Sequence, residues 1–499
     1  MASLTRIYDR KKLLGQVYTP AHIVDKILDE VGMTSDHFLG KKVLDPACGD
    51  GRFLVSVVQR IIEISPTDSL KKNLEVVYGW DIDAEALELC RAALDKEIAS
   101  VGISVDWKLF HRDALLQWQT RPGNFDYIIG NPPYIRIQNL PKNQRVYLQE
   151  HYTFCKSGST DTYVAFFELA NHLLNTTGVC GYITPNSYFF SETARPLRQF
   201  FQVNRNLLLI TNFGSFRVFE NTGTYAAITV FNKKQQADFR YELSNASYEY
   251  KGRVIDFQEL ANFDLWQLSI SPPSITTNRS VRLGDICKIS VGITTLSDKV
   301  FLFTILDTLS VTHVRAVSKL GVVAILEKSI LKPVIKASRI KPGQESTTEY
   351  ILFPYRKNSE GKNTILPEEI LRADYPCTYQ YLISQKSKLD KRDNGKKNPV
   401  SWYAFGRAQS LDSGFGRKIV FSPMNKTPTF VLAKNPEATV YSGYFIKYAG
   451  NLEKLLPLLN SEDMASYIQI AGRDFRGGWK GYSKKIVENF LIDTALLNS

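Results

Sequence analysis

The chain has 499 residues, of which 44% are hydrophobic and 22% charged, and its net charge is +12. This length suggests two to four domains with sizeable cores. No apolar run approaches the ~20 residues that span a bilayer, and the first residues lack the apolar segment of a secretory signal, so we expect no membrane partner and no secretion.

The charge excess lies in one half of the chain. Residues 1–250 carry 27 basic and 27 acidic residues, whereas residues 251–499 carry 35 basic and 23 acidic ones. This division suggests one module for chemistry and one for a polyanion, the alternative being a merely soluble basic surface. The six cysteines form no CxxC pair, which favours free thiols in a reducing compartment and argues against a zinc site or a disulfide framework.

Short β-type runs alternate with amphipathic helical stretches in the first half, which is the α/β pattern. Apolar residues repeat at helical spacing from Phe53 to Ile62 and from Leu87 to Ile98. Each of the first four predicted strands leads to an acidic or amide side chain. They are Val43-Leu44 before Asp45, Val76–Trp80 before Asp81, Val105–His111 before Asp113, and Phe125–Gly130 before Asn131.

Three further strands are predicted at Gly178–Ile183, Leu207–Asn212 and Ala226–Asn232, and a turn-rich linker follows at Ser269–Arg279. We therefore predict domains at 1–270 and 280–499. The second domain is less regular, with β-like runs at Val300–Ile305, Lys418–Ser422 and Ala438–Tyr448. The charged segment Lys386–Lys397 is interpreted as a mobile surface loop, with DNA contact as the lesser alternative.

The first chemical motif is the loop Asp45–Phe53, DPACGDGRF, between a strand and a helix. Glycines here let a ligand approach the backbone at a helix N-terminus. Asp81 ends the next strand and can accept both hydroxyl hydrogens of a ribose, and Asp113 suits an adenine amino group. Capping of the following helical turn is the alternative role for both aspartates.

The decisive motif is Asn131-Pro132-Pro133-Tyr134, directly after an apolar strand. A residue before proline avoids helical angles, so the chain leaves the sheet extended, and the prolines offer carbonyls without N–H donors. The Asn131 side-chain oxygen and the Pro132 carbonyl can hold both hydrogens of an amino group. That grip takes the nitrogen lone pair out of conjugation and directs it at an electrophile, while Tyr134 can stack on the attached base.

These motifs, in this order, resemble the gamma class of amino DNA methyltransferases, such as the modification enzymes of type II restriction systems. Gly15–Pro20, GQVYTP, is similar to their N-terminal cofactor motif. The resemblance covers Gly15 to about Phe231 and is looser beyond. It implies a Rossmann-like, S-adenosylmethionine-dependent methyltransferase domain followed by a mixed α+β target-recognition domain.

The resemblance also implies roles for individual residues. Residues matching the family's cofactor positions are Thr19, Asp45, Ala47, Gly49, Gly51, Asp81, Ile82, Asp113, Ala114 and Pro133. Asn131 and Pro132 match the positions that hold the target amino group, and Tyr134 matches the ring that stacks on the flipped base. Phe219 resembles a second stacking aromatic, although Phe213 and Phe216 lie close by and a core role is the alternative. The segments around Asp161 and Asn186 are interpreted as scaffold.

Partners follow from the same resemblance. Double-stranded DNA is the expected substrate, with phosphate contacts proposed for Arg473, Arg476 and Lys480, and with buried-core roles as the alternative for the neighbouring aromatics. A cognate restriction endonuclease is expected to act separately, because only 14 residues precede Gly15. The expected location is the prokaryotic cytoplasm, associated with the nucleoid.

The site as it stands admits other amino nitrogens. Cytosine N4, an RNA amino group and a protein glutamine amide all present an amine conjugated to a π system. The basic second half favours DNA over protein, and the Asn-Pro-Pro-Tyr motif favours adenine N6 over cytosine N4. Methylation at cytosine C5 would need a nucleophilic cysteine, which we do not find in a suitable position. A non-catalytic DNA-binding protein is disfavoured because each family position is filled.

Overall fold

The computed structural model describes residues 18–116, 122–156, 158, 160–219, 224–260, 265–270, 280–341 and 349–498. Gly15–Val17 of the N-terminal motif and residues 271–279 of the predicted linker therefore lie outside the described residues. The chain divides into two compact units, Met1–Pro273 and Ser274–Ser499. Each unit is described by itself.

Nine strands and seven helices are described in unit 1. The strands are β1 Val43–Asp45, β2 Val77–Asp81, β3 Lys108–His111, β4 Phe125–Gly130, β5 Leu174–Pro185, β6 Leu207–Asn212, β7 Ala226–Asn232, β8 Asp238–Ser244 and β9 Tyr250–Asp256. The helices are α1 Ala21–Glu30, α2 Arg52–Ile64, α3 Leu70–Leu74, α4 Ala84–Ile98, α5 Lys142–His151, α6 Thr162–Leu173 and α7 Arg195–Asn204.

The described strands of unit 1 form one sheet in the order β3-β2-β1-β4-β5-β7-β6-β8-β9. Strands β1 to β5 pair in parallel, whereas β7 runs antiparallel to both of its neighbours, β5 and β6. Because β1, β2 and β4 are parallel neighbours, the side chains that follow them meet at the carboxyl edge of the sheet, where open α/β sheets bind ligands.

Helix packing follows the apolar spacing seen in the sequence. Phe53, Leu54, Val57, Val58 and Ile61 of α2 are all buried, as are Leu87, Cys90, Leu94 and Ile98 of α4. These side chains form a core on one face of the sheet, and α6 and α7 contribute to a second core. Burying each large apolar side chain contributes roughly 1.5–3 kcal/mol, so both helices are held firmly against the strands.

Two strand predictions needed adjustment. The third strand begins at Lys108 rather than Val105, because β2 starts at Val77 and its Tyr78 already pairs with Lys108. Strand β5 begins at Leu174, four residues earlier than predicted, because a register shift lets Leu174 pair with Phe125. The strands predicted at Leu207–Asn212 and Ala226–Asn232 are confirmed.

Unit 2 is a mixed α+β structure. Its described strands are β10 Ser280–Arg282, β11 Cys287–Val291, β12 Leu302–Thr308, β13 His313–Ser318, β14 Val323–Glu327, β15 Leu331–Lys336, β16 Glu349–Leu352, β17 Tyr355–Lys357, β18 Asn363–Ile365, β19 Lys418–Phe421, β20 Met424–Asn425, β21 Phe430–Ala433, β22 Thr439–Tyr441, β23 Tyr444–Tyr448, β24 Asp474–Phe475, β25 Trp479–Gly481 and β26 Leu491–Asp493. Its described helices are α8 Leu283–Ile286, α9 Asp298–Phe301, α10 Glu368–Asp374, α11 Pro376–Ser384, α12 Lys386–Asp390, α13 Leu452–Leu459, α14 Glu462–Ala471, α15 Lys484–Glu488 and α16 Ala495–Asn498.

Two larger sheets organise this unit. One has the order β14-β13-β12-β16-β15-β22, and the other has the order β11-β23-β19-β21. The run predicted at Ala438–Tyr448 is two strands, since Ser442 turns the chain with a φ of 57°. The segment Lys386–Lys397, interpreted from the sequence as a mobile surface loop, contains helix α12 and a 3-10 turn, and the buried Leu389 anchors that helix.

The architectures of unit 1 and unit 2 confirm the predicted fold class, a Rossmann-like methyltransferase unit followed by a mixed α+β unit. Among the described helices, none combines the length and the apolar character that crossing a membrane requires.

Candidate functional site

A cavity of about 440 Å³ opens at the carboxyl ends of β1, β2 and β4. Its volume lies within the range of small-molecule and cofactor sites. Ten residues predicted from the sequence line it: Thr19, Asp45, Ala47, Gly49, Asp81, Ile82, Asp113, Ala114, Asn131 and Pro133. Gly51, Pro132, Tyr134 and Phe219 do not belong to the lining.

The loop after β1 is fixed to the neighbouring strand β2. The backbone N–H of Cys48 donates to the carbonyl of Trp80 at 3.0 Å, and that of Gly49 donates to Oδ2 of Asp81 at 2.8 Å. A Cβ on Gly49 would meet nothing within 4 Å, whereas one on Gly51 would lie 2.6 Å from the Cys90 sulfur. Gly49 therefore leaves the cavity open, and Gly51 serves close packing against α4.

Asp81 points both carboxylate oxygens at backbone amides around the cavity. Oδ1 accepts from the N–H of Asp83 at 2.9 Å, and Oδ2 accepts from Gly49. The cap of α4 is Asp83 instead, whose side chain accepts from Glu85. The capping alternative for Asp81 is thus wrong, and burial raises the pKa of its carboxyl group.

Asp113 caps the turn that follows it and also belongs to the lining of the cavity, while its contact with an adenine amino group stays a prediction. Its Oδ1 accepts from the N–H of Leu115 at 3.0 Å, which caps the 3-10 turn Ala114–Leu116, and its side chain also lines the cavity. Burial raises the pKa of this carboxyl group too. Asp113 is therefore held in one orientation by the turn that it caps.

Asp45 lies beneath the cavity with 1% of its surface exposed. Burial raises the pKa of its carboxyl group to about 8, although its Oδ1 accepts from the N–H of Ala47 at 3.0 Å. The cost of burying a charge explains the direction of the shift. Near neutral pH, Asp45 is consequently a mostly neutral group at the base of the site.

Asn131 follows β4 and is held from two sides. Its Nδ2 donates to Oγ1 of Thr19 at 3.1 Å, and its Oδ1 accepts from the Tyr134 hydroxyl at 2.5 Å. The Tyr134 hydroxyl also reaches the carbonyl of Ile183 at 3.2 Å. These contacts hold the Asn131 amide in one orientation at the lining of the cavity.

The Asn-Pro-Pro-Tyr loop is fastened by helix α6. The Thr162 hydroxyl donates to the Pro133 carbonyl at 2.5 Å, and it accepts from the N–H of Ile135 at 3.2 Å. Tyr163 reaches the Ser187 hydroxyl at 3.3 Å. These contacts fit the interpretation of the segments around Asp161 and Asn186 as scaffold.

Of the two predicted stacking aromatics, Tyr134 is half-buried and packs against the core, whereas Phe219 is buried within it. The Tyr134 ring lies 6.2 Å from that of Tyr163 and 6.4 Å from that of Phe219. Phe219 is 3% exposed and belongs to a core cluster, as expected for the alternative in which this ring is part of the core. Burial raises the pKa of the Tyr134 hydroxyl, so it remains a neutral hydrogen-bond donor.

Several lining residues were missed from the sequence. Tyr18 lines the cavity and stacks beneath the Arg52 guanidinium at 4.6 Å, and Gln144 and Leu148 reach it from α5. Tyr18 neighbours Thr19 within the N-terminal motif, which could have drawn attention to it. Nothing in the residue pattern distinguishes Gln144 and Leu148, because only the chain path brings α5 over the cavity.

The predicted DNA contacts in unit 2 have unequal settings. Arg473 and Arg476 are exposed, and Arg473 lies over the Phe475 ring at 5.2 Å. Lys480 is only 8% exposed, and its Nζ contacts Asp474 at 2.7 Å and the Gln469 carbonyl at 2.8 Å. The structure therefore directs Lys480 inward, whereas phosphate contact by Arg473 and Arg476 stays a prediction.

Within the described residues, one trio of possible metal ligands has its donor atoms within 4.8 Å: His313, Glu327 and Cys377. The Glu327 carboxylate accepts from the backbone N–H of Cys377 at 2.8 Å and of Thr378 at 3.0 Å. Glu327 thus caps the N-terminus of α11. This capping gives the cluster a structural explanation.

The sheet order, with an antiparallel β7 and a cavity lined by strand-end carboxylates, defines unit 1 as a class I methyltransferase fold. Residues 75–219 match the Eco57I restriction-modification methylase family. The resemblance to type II modification methyltransferases is thereby confirmed.

Individual relatives agree with this family match. The chain is 24% identical to the type II restriction enzyme and methyltransferase RM.Eco57I of Escherichia coli, covering 96% of this chain and 57% of that protein. It is 26% identical to the type II methyltransferase M.BstVI of Geobacillus stearothermophilus, covering 79% and 74%. The chain thus spans little more than half of the E. coli relative.

The fold of the whole chain also has a solved counterpart. The DNA complex of the type IIL restriction-modification enzyme MmeI superposes with a TM-score of 0.62 at 14% identity, covering 97% of this chain and 69% of that one. This likeness concerns the fold.

Proposed function

We propose that this protein transfers a methyl group from S-adenosylmethionine to the exocyclic amino nitrogen of a base in double-stranded DNA, with adenine N6 as the target. The observation that carries the proposal is the Asn131 amide, held between Thr19 and Tyr134 at the edge of the acid-lined cavity. Relatives named as type II methyltransferases support the same chemistry.

The cavity fits the cofactor. Asp81 offers carboxylate oxygens to a ribose, Asp113 and Ala114 face the space for an adenine, and Gly49 leaves room beside the backbone. S-adenosylmethionine supplies an electrophilic methyl group when it is bound. Thr19, Asp45 and Ala47 line the part of the cavity nearest to Asn131 in this proposal.

The protein's contribution is alignment. Oδ1 of Asn131 and the carbonyl of Pro132 accept the two amino hydrogens, so the nitrogen lone pair is released from the ring and faces the methyl carbon. In the proposed transfer the amino nitrogen would bond to the methyl carbon as that carbon's bond to the cofactor sulfur breaks, and the nitrogen would then release one proton to solvent. Alignment of this kind can supply ~7–11 kcal/mol of the barrier.

The target base must leave the duplex to reach Asn131, at a cost of a few kcal/mol. Stacking of the base on the Tyr134 ring would offset part of that cost by ~1–3 kcal/mol. The ring must face the base for this contact to form. Tyr134→Ala should therefore lower kcat/KM by about 5- to 150-fold. Tyr134→Phe keeps the ring and should lower kcat/KM only a few-fold, because it removes the hydroxyl's contacts with Asn131 and with the Ile183 carbonyl but not the stacking surface. Equal losses in both variants would contradict the stacking role.

The direct test incubates the purified protein with isotopically labelled methyl donor and, in parallel samples, mixed plasmid DNA, RNA or protein. One portion of the DNA is digested to nucleosides to identify the methylated base, and modification-sensitive sequencing of an undigested portion locates the modified positions. We expect N6-methyladenine within one short sequence. Labelled N4-methylcytosine would replace the adenine assignment, and label in RNA or protein but not in DNA would refute the proposal. A separate endonuclease that cuts the unmodified sequence is the partner that we propose.

A further inference from the structure

Leu296 of unit 2 has a backbone conformation that is unusual for a leucine. Its φ is 55°, in the left-handed region that L-residues with large side chains avoid. Three of the other non-glycine residues with positive φ lie in nearby segments: Asp393, Asn394 and Ser410. Strained conformations persist where the surroundings enforce them, and they cluster at functional sites.

The loop that carries Leu296 is rigidly held. The Thr295 carbonyl accepts from the backbone N–H of Gly406 at 3.0 Å and from the Arg392 guanidinium at 3.2 Å. The Thr295 hydroxyl donates to Asp298 at 2.5 Å. Arg392 also donates to the carbonyls of Ala404 and Trp402, so its guanidinium group stabilises this loop through hydrogen bonds.

Leu296 is nevertheless 41% exposed. Its side chain packs on Gly406, where an added Cβ would lie 2.4 Å from the leucine Cγ. It also separates two surface cavities of about 740 and 480 Å³, since it lines both. A glycine would adopt the same φ without strain, so the leucine side chain needs another reason to be there.

The charged residues that line the two cavities are mainly basic. Apart from Arg392, their basic side chains are Lys299, Lys386, Lys388, Lys396, Lys397 and Arg407. The acidic ones each have a partner: Asp393 contacts Arg407 at 3.2 Å, Asp390 lies 3.7 Å from Lys386, and Asp298 bonds Thr295. Lys396 and Lys397 are exposed and make no ion pair with any described side chain.

We infer that this surface, defined by Leu296 and the surrounding basic residues, contacts duplex DNA, with Leu296 acting as an apolar wedge at a base step. The inference rests on the proposed function for the choice of DNA as the partner. Exposed lysines suit phosphates, and apolar side chains that enter between base pairs unstack and unwind the duplex. The rigid loop presents the leucine without further ordering on binding.

The charge contribution is tested with the full chain and a labelled 40-base-pair duplex of mixed sequence, without methyl donor. Affinity is measured by fluorescence anisotropy over a range of salt concentrations. Lys396→Gln/Lys397→Gln should weaken binding and reduce the salt slope by about 2. The control is Lys434→Gln/Lys454→Gln, which removes two exposed lysines elsewhere in unit 2. Equal slopes for the two double variants would overturn the assignment of this surface.

The wedge is tested by DNA unwinding. A nicked plasmid is sealed by ligase in the presence of saturating protein, and its linking number is read on a gel. We expect wild type and Leu309→Ala, which truncates another exposed leucine of unit 2, to lower the linking number. Leu296→Ala and Leu296→Gly should not, although their salt slopes match wild type. Because Gly suits the φ of 55°, a loss shared by both variants belongs to the side chain rather than to folding.

Two outcomes would overturn the wedge: unwinding by Leu296→Ala equal to wild type, or no unwinding by wild type. Methyl transfer is assayed separately on the same preparations. Normal methylation with unaltered behaviour of all Leu296 and lysine variants would remove this inference and leave the proposed function. Normal DNA binding and unwinding without methylation of DNA would remove the proposed function and leave the surface.

Discussion

The two units place their charged groups in opposite ways. In unit 1 the acids Asp45 and Asp81, at strand ends beside the cavity, have little exposure, and the first 250 residues carry no net charge. In unit 2 the excess charge is basic, and around Leu296 it is exposed. Alignment of small groups needs a few desolvated side chains held in fixed positions. Recognition of a polyanion needs mobile cations at the surface.

This contrast predicts that variants in the unit 1 cavity change catalysis or cofactor affinity and leave the salt dependence of DNA binding unaltered. Variants on the basic surface of unit 2 should do the reverse. Two experiments in unit 1 test this separation, and two more test the buried titratable groups of the two units.

The largest effect is expected for Asn131→Ala, which removes the side-chain oxygen that we propose accepts a hydrogen bond from the target amine. Loss of one such interaction made in the transition state costs about 10²- to 10³-fold in kcat. Methyl transfer is measured under saturating cofactor. The DNA affinity, measured by fluorescence anisotropy, should stay within about two-fold of wild type. Asn204→Ala, an exposed position in unit 1, is the control. Undiminished turnover in Asn131→Ala would refute the catalytic assignment.

Asp81→Ala should weaken S-adenosylmethionine binding by about 10- to 100-fold, because hydrogen bonds to a charged group contribute roughly 1.5–3 kcal/mol. It also leaves the N–H groups of Gly49 and Asp83 without their acceptor. Isothermal titration calorimetry measures the affinity. Asp106→Asn, at an exposed carboxylate, should bind as wild type does. An unchanged affinity in Asp81→Ala would exclude Asp81 from the cofactor site.

Asp45 should make the ligand-free protein less stable as pH rises. Its carboxyl pKa is about 8 in the fold and about 3.8 in the unfolded chain. The folded state therefore holds the proton more tightly than the unfolded chain does. The resulting contribution to the free energy of unfolding is fully present below about pH 3.8 and is lost as the pH rises through about 8. The slope is at most about 1.4 kcal/mol per pH unit. Thermal melts are recorded for Asp45→Asn and wild type between about pH 5 and pH 8. The melting temperature of wild type should fall relative to that of Asp45→Asn as the pH rises. Parallel curves would contradict the raised pKa.

Lys418 should act with the opposite sign and a smaller effect. Its Nζ is buried in unit 2 and donates to the carbonyls of Gly416 and Ala438, and burial lowers the pKa of its ammonium group to about 7. The unfolded chain holds that proton up to about pH 10.5, so stability rises with pH between about 7 and 10.5. Lys418→Met should flatten this rise in thermal melts. Lys434→Met, at an exposed lysine, should leave it unchanged, and a rise that persists in Lys418→Met would contradict this origin.

Much of unit 1 was predictable because local patterns and tertiary structure demand the same residues there. The apolar spacing of α2 and α4 places one face of each helix against the sheet, and the strands before Asp45, Asp81 and Asn131 lie close to their predicted bounds. A side chain that follows a parallel strand reaches the carboxyl edge whatever the rest of the fold does. The lining of the cavity followed from this rule.

Other features needed the folded chain. The Thr19 hydroxyl and the Tyr134 hydroxyl both reach the Asn131 amide, although Thr19 lies 112 residues away in sequence. Lys480 looked like a surface cation in a glycine-rich segment, but the strand pair β24–β25 turns it toward Asp474. Such partners are chosen by packing, which a run of residue types does not encode.

The sequence by itself determined the order of the strand ends, the acids and the amide that follow them, and the half of the chain that carries the positive charge. The tertiary structure alone decided which of those charges are buried, how the Asn131 amide is oriented and where Leu296 is exposed. The physical reason is range: strand and helix patterns arise from neighbours within a few residues. Burial and hydrogen-bond partners depend on segments that meet only when the chain has folded.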